Sequence, residues 1–382
     1  MTTRKIVVID LTIREGMQFR GLMFSQAERM AILEYQEALG VDVTQVGYPP
    51  AHASEARCVE QLFAESKRRA FRIHVTGLCR ALATDVRPML ASGLEDFHLH
   101  TVFTAETLQQ RSLDSIFDDL RDTIRLIRSK AGDACIEISL VDIGKTDARL
   151  LEACSTFLIN QLKVDIITLP DTSGMMAPNR FFSSVQSIVA LAAGTRTRIG
   201  VHCHNDGGMA SANTVMGVAA GADVIQVSAL GIGERNGLGD LFTVSRLLKE
   251  QGYQLNLRTE DIPLFRQYYH YIDDLCWKRT GFHLLNYNTP FFGQSMKTHV
   301  AGTHGAGKYG LDRDEDFYLN VLCGKHLVRK YLSRHQIPCD ENRIDAVVSG
   351  IKNRSATLNR ALEEADIREI VDRCHEPSPP LA

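Results

Sequence analysis

Thr197-Arg198-Ile199-Gly200-Val201-His202-Cys203-His204-Asn205-Asp206 opens as a short buried strand and finishes on a polar tip. Side chains alternate between the faces of a strand, so His202 and His204 point one way and Cys203 the other. Two imidazoles on one face, one strand repeat apart, can reach a single cation. A hydrogen-bonded histidine pair near a strand end is the plain alternative. The stretch therefore has to be read with its neighbours, and working outward from it the same strand pattern returns seven times.

Upstream, Ile6–Ile9, Val43–Tyr48, Arg72–Leu78, Asp96–Val102, Cys135–Val141 and Asp165–Leu169 read as six strands, and Val224–Ala229 downstream reads as the eighth. Helical periodicity separates them. Ser25 and Glu28 form a capping box ahead of the apolar stripe Met30, Ile32, Leu33 and Leu39, and Gly40 stops that helix. Further helices are expected near 54–66, 84–91, 113–131, 147–161 and 209–220, with one ending near Gln251, and Pro178 suits the first residue of another. Units spaced by roughly 30 residues fill the ~250 residues of a (β/α)8 TIM barrel. An open doubly wound sheet usually has fewer strands, and no GxGxxG follows strand one. The expected fold class is thus α/β, with a TIM-barrel catalytic domain over 1–254. Residues 255–382 read as a mostly helical C-terminal region, with helices near 268–279, 315–334, 341–352 and 356–373. An irregular segment at 281–310 is rich in Gly, Asn, Pro and His.

With 44% hydrophobic and 23% charged residues, the 382-residue chain has the composition of a soluble globular protein. A net charge of -3 offers no footprint for nucleic acid or an anionic membrane. No apolar run approaches the ~20 residues that span a bilayer. The N-terminus enters a strand at once, without the shape of a cleavable signal. Nine cysteines without CxxC pairing fit reduced thiols, and the expected location is the cytoplasm.

In a TIM barrel the chemistry gathers at the C-terminal ends of the strands. The sequence places Arg14 and Glu15 after strand one, His98 and His100 on strand four, Asp142 and Lys145 after strand five, and Asp171 and Thr172 after strand six. Glu234 and Arg235 follow strand eight. Only strand eight separates strands one and seven in a closed barrel, so Glu15 can face His202 and His204 across the mouth. One carboxylate and two imidazoles leave open positions on a cation, as Lewis-acid catalysis requires. Arg14 is placed to hydrogen-bond a developing oxyanion. Gly231-Ile-Gly-Glu-Arg-Asn-Gly237 can offer backbone amides to an anion, or simply turn the chain. Thr172 can donate to a substrate carboxylate or cap the next helix.

At these residues the sequence resembles the DRE-TIM metallolyase superfamily and, within it, the Claisen-condensing enzymes: homocitrate, 2-isopropylmalate and citramalate synthases. Asp10-Leu-Thr-Ile-Arg-Glu-Gly-Met-Gln18 resembles their opening D-x-T-L-R-[DE]-G-x-Q. Leu169-Pro-Asp-Thr-Ser-Gly174, His202-Cys-His-Asn-Asp206, Gly231 to Gly237 and His299-Val-Ala-Gly-Thr-His304 resemble four further family motifs, in order. The resemblance implies an HMG-CoA lyase-like barrel that condenses acetyl-CoA with a 2-oxo acid. The product would be a 2-hydroxy-2-alkyl diacid of amino-acid biosynthesis or secondary metabolism. Glu15, His202 and His204 would ligate a divalent cation (Zn, Mg, Mn or Co). Arg14, His304 and Glu234 would be catalytic, with His304 the base that takes the acetyl-CoA methyl proton. Arg14, Gln18, His100 and Thr172 would bind the 2-oxo acid, and Gly231, Gly233, Arg235 and Asn236 the acyl-CoA. Segment 281–310 would reach the active site of a partner subunit in a homodimer. A lyase or aldolase cleaving C–C bonds is the alternative within the superfamily. Glu15 and Leu238 lean toward the homocitrate branch. Two positions depart from the family pattern: Val141 stands where a strand-five Glu is expected, and Gln45 stands where many members carry Glu.

Overall fold

Runs rich in apolar and β-branched residues form eight parallel strands: β1 (Val7–Asp10), β2 (Val43–Gln45), β3 (His74–Arg80), β4 (Asp96–Val102), β5 (Ile136–Val141), β6 (Ile166–Asp171), β7 (Arg198–Cys203) and β8 (Val224–Val227). They pair in chain order, and β1 returns onto β8 with Val7 opposite Val224 and Asp10 opposite Val227. The sheet closes, and the fold is the TIM barrel that the strand-helix alternation predicts. The structure is a computed structural model and describes residues 4–299 and 316–375.

Helices cover the outside of the barrel. The first long one, Gln26–Leu39, forms as the sequence dictates. Ser25 Oγ accepts from the Glu28 amide, Glu28 reaches back to the Ser25 amide at 2.7 Å, and Gly40 closes the helix in a left-handed conformation at φ 80°. Its Ile32, Leu33 and Leu39 are fully buried. Several boundaries differ from the sequence reading. Strand β2 stops at Gln45 because Pro49–Ala51 turns away as a 3-10 helix. Thr12–Gly16, the stretch that follows strand one, is a single helical turn with every residue buried. The helix expected at 268–279 runs from Ile262 to Thr280, because Asp261 caps it and Pro263 occupies its first turn.

The described chain divides into two compact units at Leu284/Leu285, so the first takes in 255–284 as well as the barrel. In the second unit, helices Lys325–Arg334, Ile344–Leu358 and Glu364–His375 enclose a core that includes Leu327, Tyr331, Val347, Ile351 and Ile367. These bounds correct the expected 315–334, 341–352 and 356–373. Residues 316–317 pair as a short strand with Thr298–His299, and the helix starts only after Gly324. Asn359, left-handed at φ 50°, separates the last two helices. His304 lies outside the described residues.

One buried carboxylate fastens the opening motif to the barrel. Asp10 is fully buried and accepts from the Thr12 amide (2.8 Å), the Thr12 hydroxyl and Tyr268 Oη (3.0 Å). Thr12 Oγ1 in turn accepts the Ala229 amide at the end of β8. Tyr268, on the helix Ile262–Thr280, thus helps to set the start of the turn that carries Arg14 and Glu15. Tyr268→Phe removes a donor from a buried carboxylate and is expected to cost about 1–3 kcal/mol. Urea unfolding of the purified variant measures it, and a midpoint equal to the parent's would refute the fastening role.

Candidate metal centre and active site

The mouth of the barrel opens into a cavity of about 550 Å³. Its lining includes Arg14, Glu15, Gln18, His100, Thr172, His202, His204 and Glu234, so most of the site residues expected from the sequence share one space. His202 Nε2 and His204 Nε2 stand 3.2 Å apart. Glu15 completes the set: one ligand atom from each of the three residues lies within 4.8 Å of the others. All three are buried.

The set fits a cation. Glu15 Oε2 is buried and has no hydrogen-bond partner among the described residues, a costly arrangement for a carboxylate oxygen unless a ligand fills it. Burial, and then the neighbouring His204, push His202 well below its ordinary pKa; burial is also the main cause of the lowered value at His204. Both imidazoles are therefore neutral at pH 7, and neutral imidazole is the form that ligates metal.

Behind Glu15, His202 and His204 the barrel lumen is polar. His202 Nδ1 lies 2.9 Å from Gln226 Oε1, and Gln226 Nε2 donates to Glu137 Oε1 at 2.5 Å. Thr168 Oγ1 donates to the same Glu137 oxygen. Burial raises the Glu137 carboxyl to about 7. On the other side Arg14 Nε donates to Gln45 Oε1, Gln45 Nε2 meets His98 Nδ1, and His98 Nε2 lies 2.7 Å from Ser139 Oγ. Arg14 Nη1 also donates to Glu15 Oε1 and, at 2.7 Å, to Gln18 Oε1. Gln45 thus anchors the guanidinium by its amide oxygen. Burial is also the first cause that holds His98 well below its ordinary pKa and lowers His100 to about 4, so neither adds a positive charge at neutral pH.

Thr172 does not cap the following helix, which runs Pro178–Ala192 behind Ala177. Its Oγ1 accepts the Asp142 amide at 3.0 Å, which leaves the hydroxyl proton for the cavity. The glycine-rich loop closes on itself. The Leu238 amide bonds Gly231 O at 2.8 Å, and a Cβ on Gly237 (φ 80°) would sit 1.9 Å from that oxygen, so only glycine fits. The loop does not run straight into a helix; Leu241–Glu250 starts after Asp240, which caps it. Arg235 is bound at 2.8 and 3.0 Å by Asp206 and also donates to Thr172 O, while Asn236 Nδ2 donates to Asn205 O. These two side chains brace the ends of β6 and β7. Gly231 and Gly233 lie in the same loop, and Glu234 borders the cavity.

A family model described as HMGL-like matches residues 5–268. The chain belongs to the HMGL-like family. This HMGL-like chain is 29% identical to a probable 2-isopropylmalate synthase of Methanosarcina acetivorans over 392 residues, spanning 96% of this chain and 71% of that protein. It is 27% identical over 391 residues to the 2-isopropylmalate synthase of Sulfolobus acidocaldarius, with 97% and 96% covered. It is 28% identical over 377 residues to the homocitrate synthase of Pyrococcus abyssi, with 94% and 99% covered. Within the family it falls with the Claisen-condensing branch, an enzyme among synthases. The solved hydroxymethylglutaryl-CoA lyase of Pseudomonas aeruginosa aligns at a TM-score of 0.61 and 19% identity over 74% of this chain and 97% of that one, a likeness of fold.

Sequence reasoning passed over the supports of this HMGL-like site. Gln226 and Glu137 went unread, and Gln45 was noted only as a departure. Their signal was a lone polar residue inside an apolar strand: Val224-Ile-Gln-Val227 and Ile136-Glu-Ile138. Among the described residues no helix is long and apolar enough to cross a membrane. Titration of the metal-stripped protein is expected to load one divalent cation per chain, and the double variant His202→Ala/His204→Ala to bind none. Undiminished occupancy in that variant would remove the assignment.

Proposed function

We propose that the protein condenses acetyl-CoA with a 2-oxo acid whose side chain is uncharged, in the manner of a 2-alkylmalate synthase. The observation that carries the substrate class is the charge of the cavity. Among its described lining residues Arg14 is the sole cation, and it is already engaged by Glu15, Gln18 and Gln45. Elsewhere the wall includes Tyr48, Leu78, Val141 and Pro170, with His98 and His100 held neutral, and His52, Ser54 and Glu55 also border the cavity. A second carboxylate, as on 2-oxoglutarate, would be desolvated there without a counter-charge. An uncompensated buried charge costs on the order of 3–5 kcal/mol. This outweighs the lean toward the homocitrate branch drawn from Glu15 and Leu238.

A divalent cation at Glu15, His202 and His204 supplies Lewis-acid polarisation of a carbonyl oxygen. The chain's own groups do the rest. Thr172 donates to the carboxylate of the oxo acid. His304, outside the described residues, takes a proton from the acetyl methyl carbon, and that carbon attacks the keto carbon. Arg14 holds the oxygen on which negative charge develops, and that oxygen takes up one proton to become the product hydroxyl. Water then cleaves the thioester and releases coenzyme A as the free thiol. Val141 removes the strand-five carboxylate from proton transfer, which supports a base brought from elsewhere. We assign Glu234 and the 231–236 loop to the acyl-CoA side of the mouth. Segment 281–310 is read as reaching a partner's barrel in a cytoplasmic homodimer.

Free-thiol release with acetyl-CoA, a divalent cation and a panel of 2-oxo acids tests the reading. kcat/KM for a branched aliphatic oxo acid is expected to exceed that for 2-oxoglutarate by about 10²-fold or more. Preference for 2-oxoglutarate would overturn the substrate class, and C–C cleavage without condensation would overturn the reaction. For the base, His304→Ala is expected to lower turnover by about 10²–10⁴-fold with oxo-acid binding nearly unchanged. Turnover within a few-fold of the parent would show that His304 is not the base.

A further inference from the structure

The imidazole of a metal-binding histidine has to offer the right nitrogen, and its other nitrogen decides which one that is. At His202 the nitrogen left for a cation is Nε2, which faces His204 Nε2, because Nδ1 is taken by Gln226. Nε2 has a lone pair to give only when the proton sits on Nδ1. Nδ1 meets a single partner, Gln226. An amide side chain can turn over with little change of shape. With Oε1 toward the ring, Nδ1 carries the proton and Nε2 is a ligand. With the amino group toward the ring, Nδ1 must accept, the proton moves to Nε2, and the ligand atom is lost.

We propose that Glu137 is a positioning residue for the metal centre: by taking the Gln226 amino group it locks Gln226 Oε1 onto His202 and so fixes the histidine tautomer that can ligate a cation. Glu137 is on β5, far from the chemistry in sequence and one hydrogen bond beyond Gln226 in space. Its Oε1 accepts from both Gln226 Nε2 and Thr168 Oγ1. With Glu137 ionised, a turned Gln226 would set its own oxygen against that carboxylate oxygen, two acceptors in contact in a water-poor lumen, while its amino group faced the ring. Gln226 is 1% exposed and Glu137 5%, so solvent is poorly placed to rescue the turned form. The strand register holds the relay in place. Gln226 lies opposite His202 across β7 and β8, and Thr168 is opposite Ser139, two residues beyond Glu137 on β5. The same logic orders the other half of the lumen. Arg14 can only donate, so Gln45 presents oxygen to it and nitrogen to His98, and His98 keeps its proton on the nitrogen that faces Ser139. Donor-only Arg14 and acceptor Glu137 are thus the two ends that orient the amides between them.

The inference rests on reading Glu15, His202 and His204 as a cation site, yet its first readout needs no cation. In metal-stripped protein labelled with 15N-histidine, the His202 ring is expected to carry its proton on Nδ1 in the parent and in Glu137→Gln, whose amide oxygen can still accept. Glu137→Met is expected to shift a substantial fraction to the Nε2–H form. His202 remaining wholly Nδ1–H in folded Glu137→Met would overturn the proposal. The second readout is cation affinity by Co²⁺ titration, with circular dichroism to establish folding. Glu137→Met and Gln226→Met are expected to weaken binding by about 10–100-fold, while Glu137→Gln, which keeps the acceptor for the Gln226 amino group, retains it. If Glu137→Met does not fold, Gln226→Met decides: parent-like affinity there would equally overturn the relay. A parent that binds no Co²⁺ would overturn the metal site itself, while the imidazole spectrum still decides whether Glu137 sets the tautomer.

Discussion

Closure of the sheet between β1 and β8 is the constraint on which the rest of the structure depends. Pairing Val7 with Val224 and Asp10 with Val227 sets the end of β1 one strand away from the end of β7. Glu15 then meets two histidines that lie almost 190 residues later in the chain. An open sheet would leave β1 and β8 as edges and these three side chains apart. Closure also creates the lumen. A polar side chain that points into it is costly unless it finds a partner there, because water is largely excluded.

That obligation explains the chain of contacts from Arg14 through Gln45 and His98 on one side, and from Glu137 through Gln226 to His202 on the other. The residues above it inherit their geometry from the residues below. Arg14 is aimed because Gln45 and Gln18 accept from it, and the imidazoles are neutral because burial makes their charged forms costly. The same neutrality shapes what the cavity can hold. Of the histidines that line the cavity, His98, His100, His202 and His204 are held uncharged, and its one guanidinium, Arg14, is already engaged.

The second constraint is at the start of the site. The helical turn Thr12–Gly16 is too short to hold itself, since a single turn fixes several dihedrals for very few hydrogen bonds. Asp10, Thr12 and Tyr268 hold it instead, and they come from β1, the turn itself and the helix Ile262–Thr280, well beyond the eighth strand. The helix Ile262–Thr280 is thus part of what shapes the barrel mouth.

Much was determined by the sequence alone. Alternating strands and amphipathic helices specify the barrel, because a parallel sheet needs crossover helices and eight such units close. The spacing His202-x-His204 puts both rings on one face wherever a strand forms, and Asp10 to Gln18 and Gly231 to Gly237 announce the mouth by motif. Local rules of this kind operate over a few residues and survive without knowledge of the partner strands. Tertiary structure alone decided the rest. Whether Thr172 caps or faces the cavity depended on where the next helix began, and Arg235 proved to brace Asp206 because β6, β7 and the loop converge there. The roles of Gln45, Glu137 and Gln226 were hidden for the same reason. A lone polar residue in an apolar strand shows that some partner exists, but the identity of that partner is set by barrel register, across tens of residues of sequence, and only the closed lumen brings donor to acceptor.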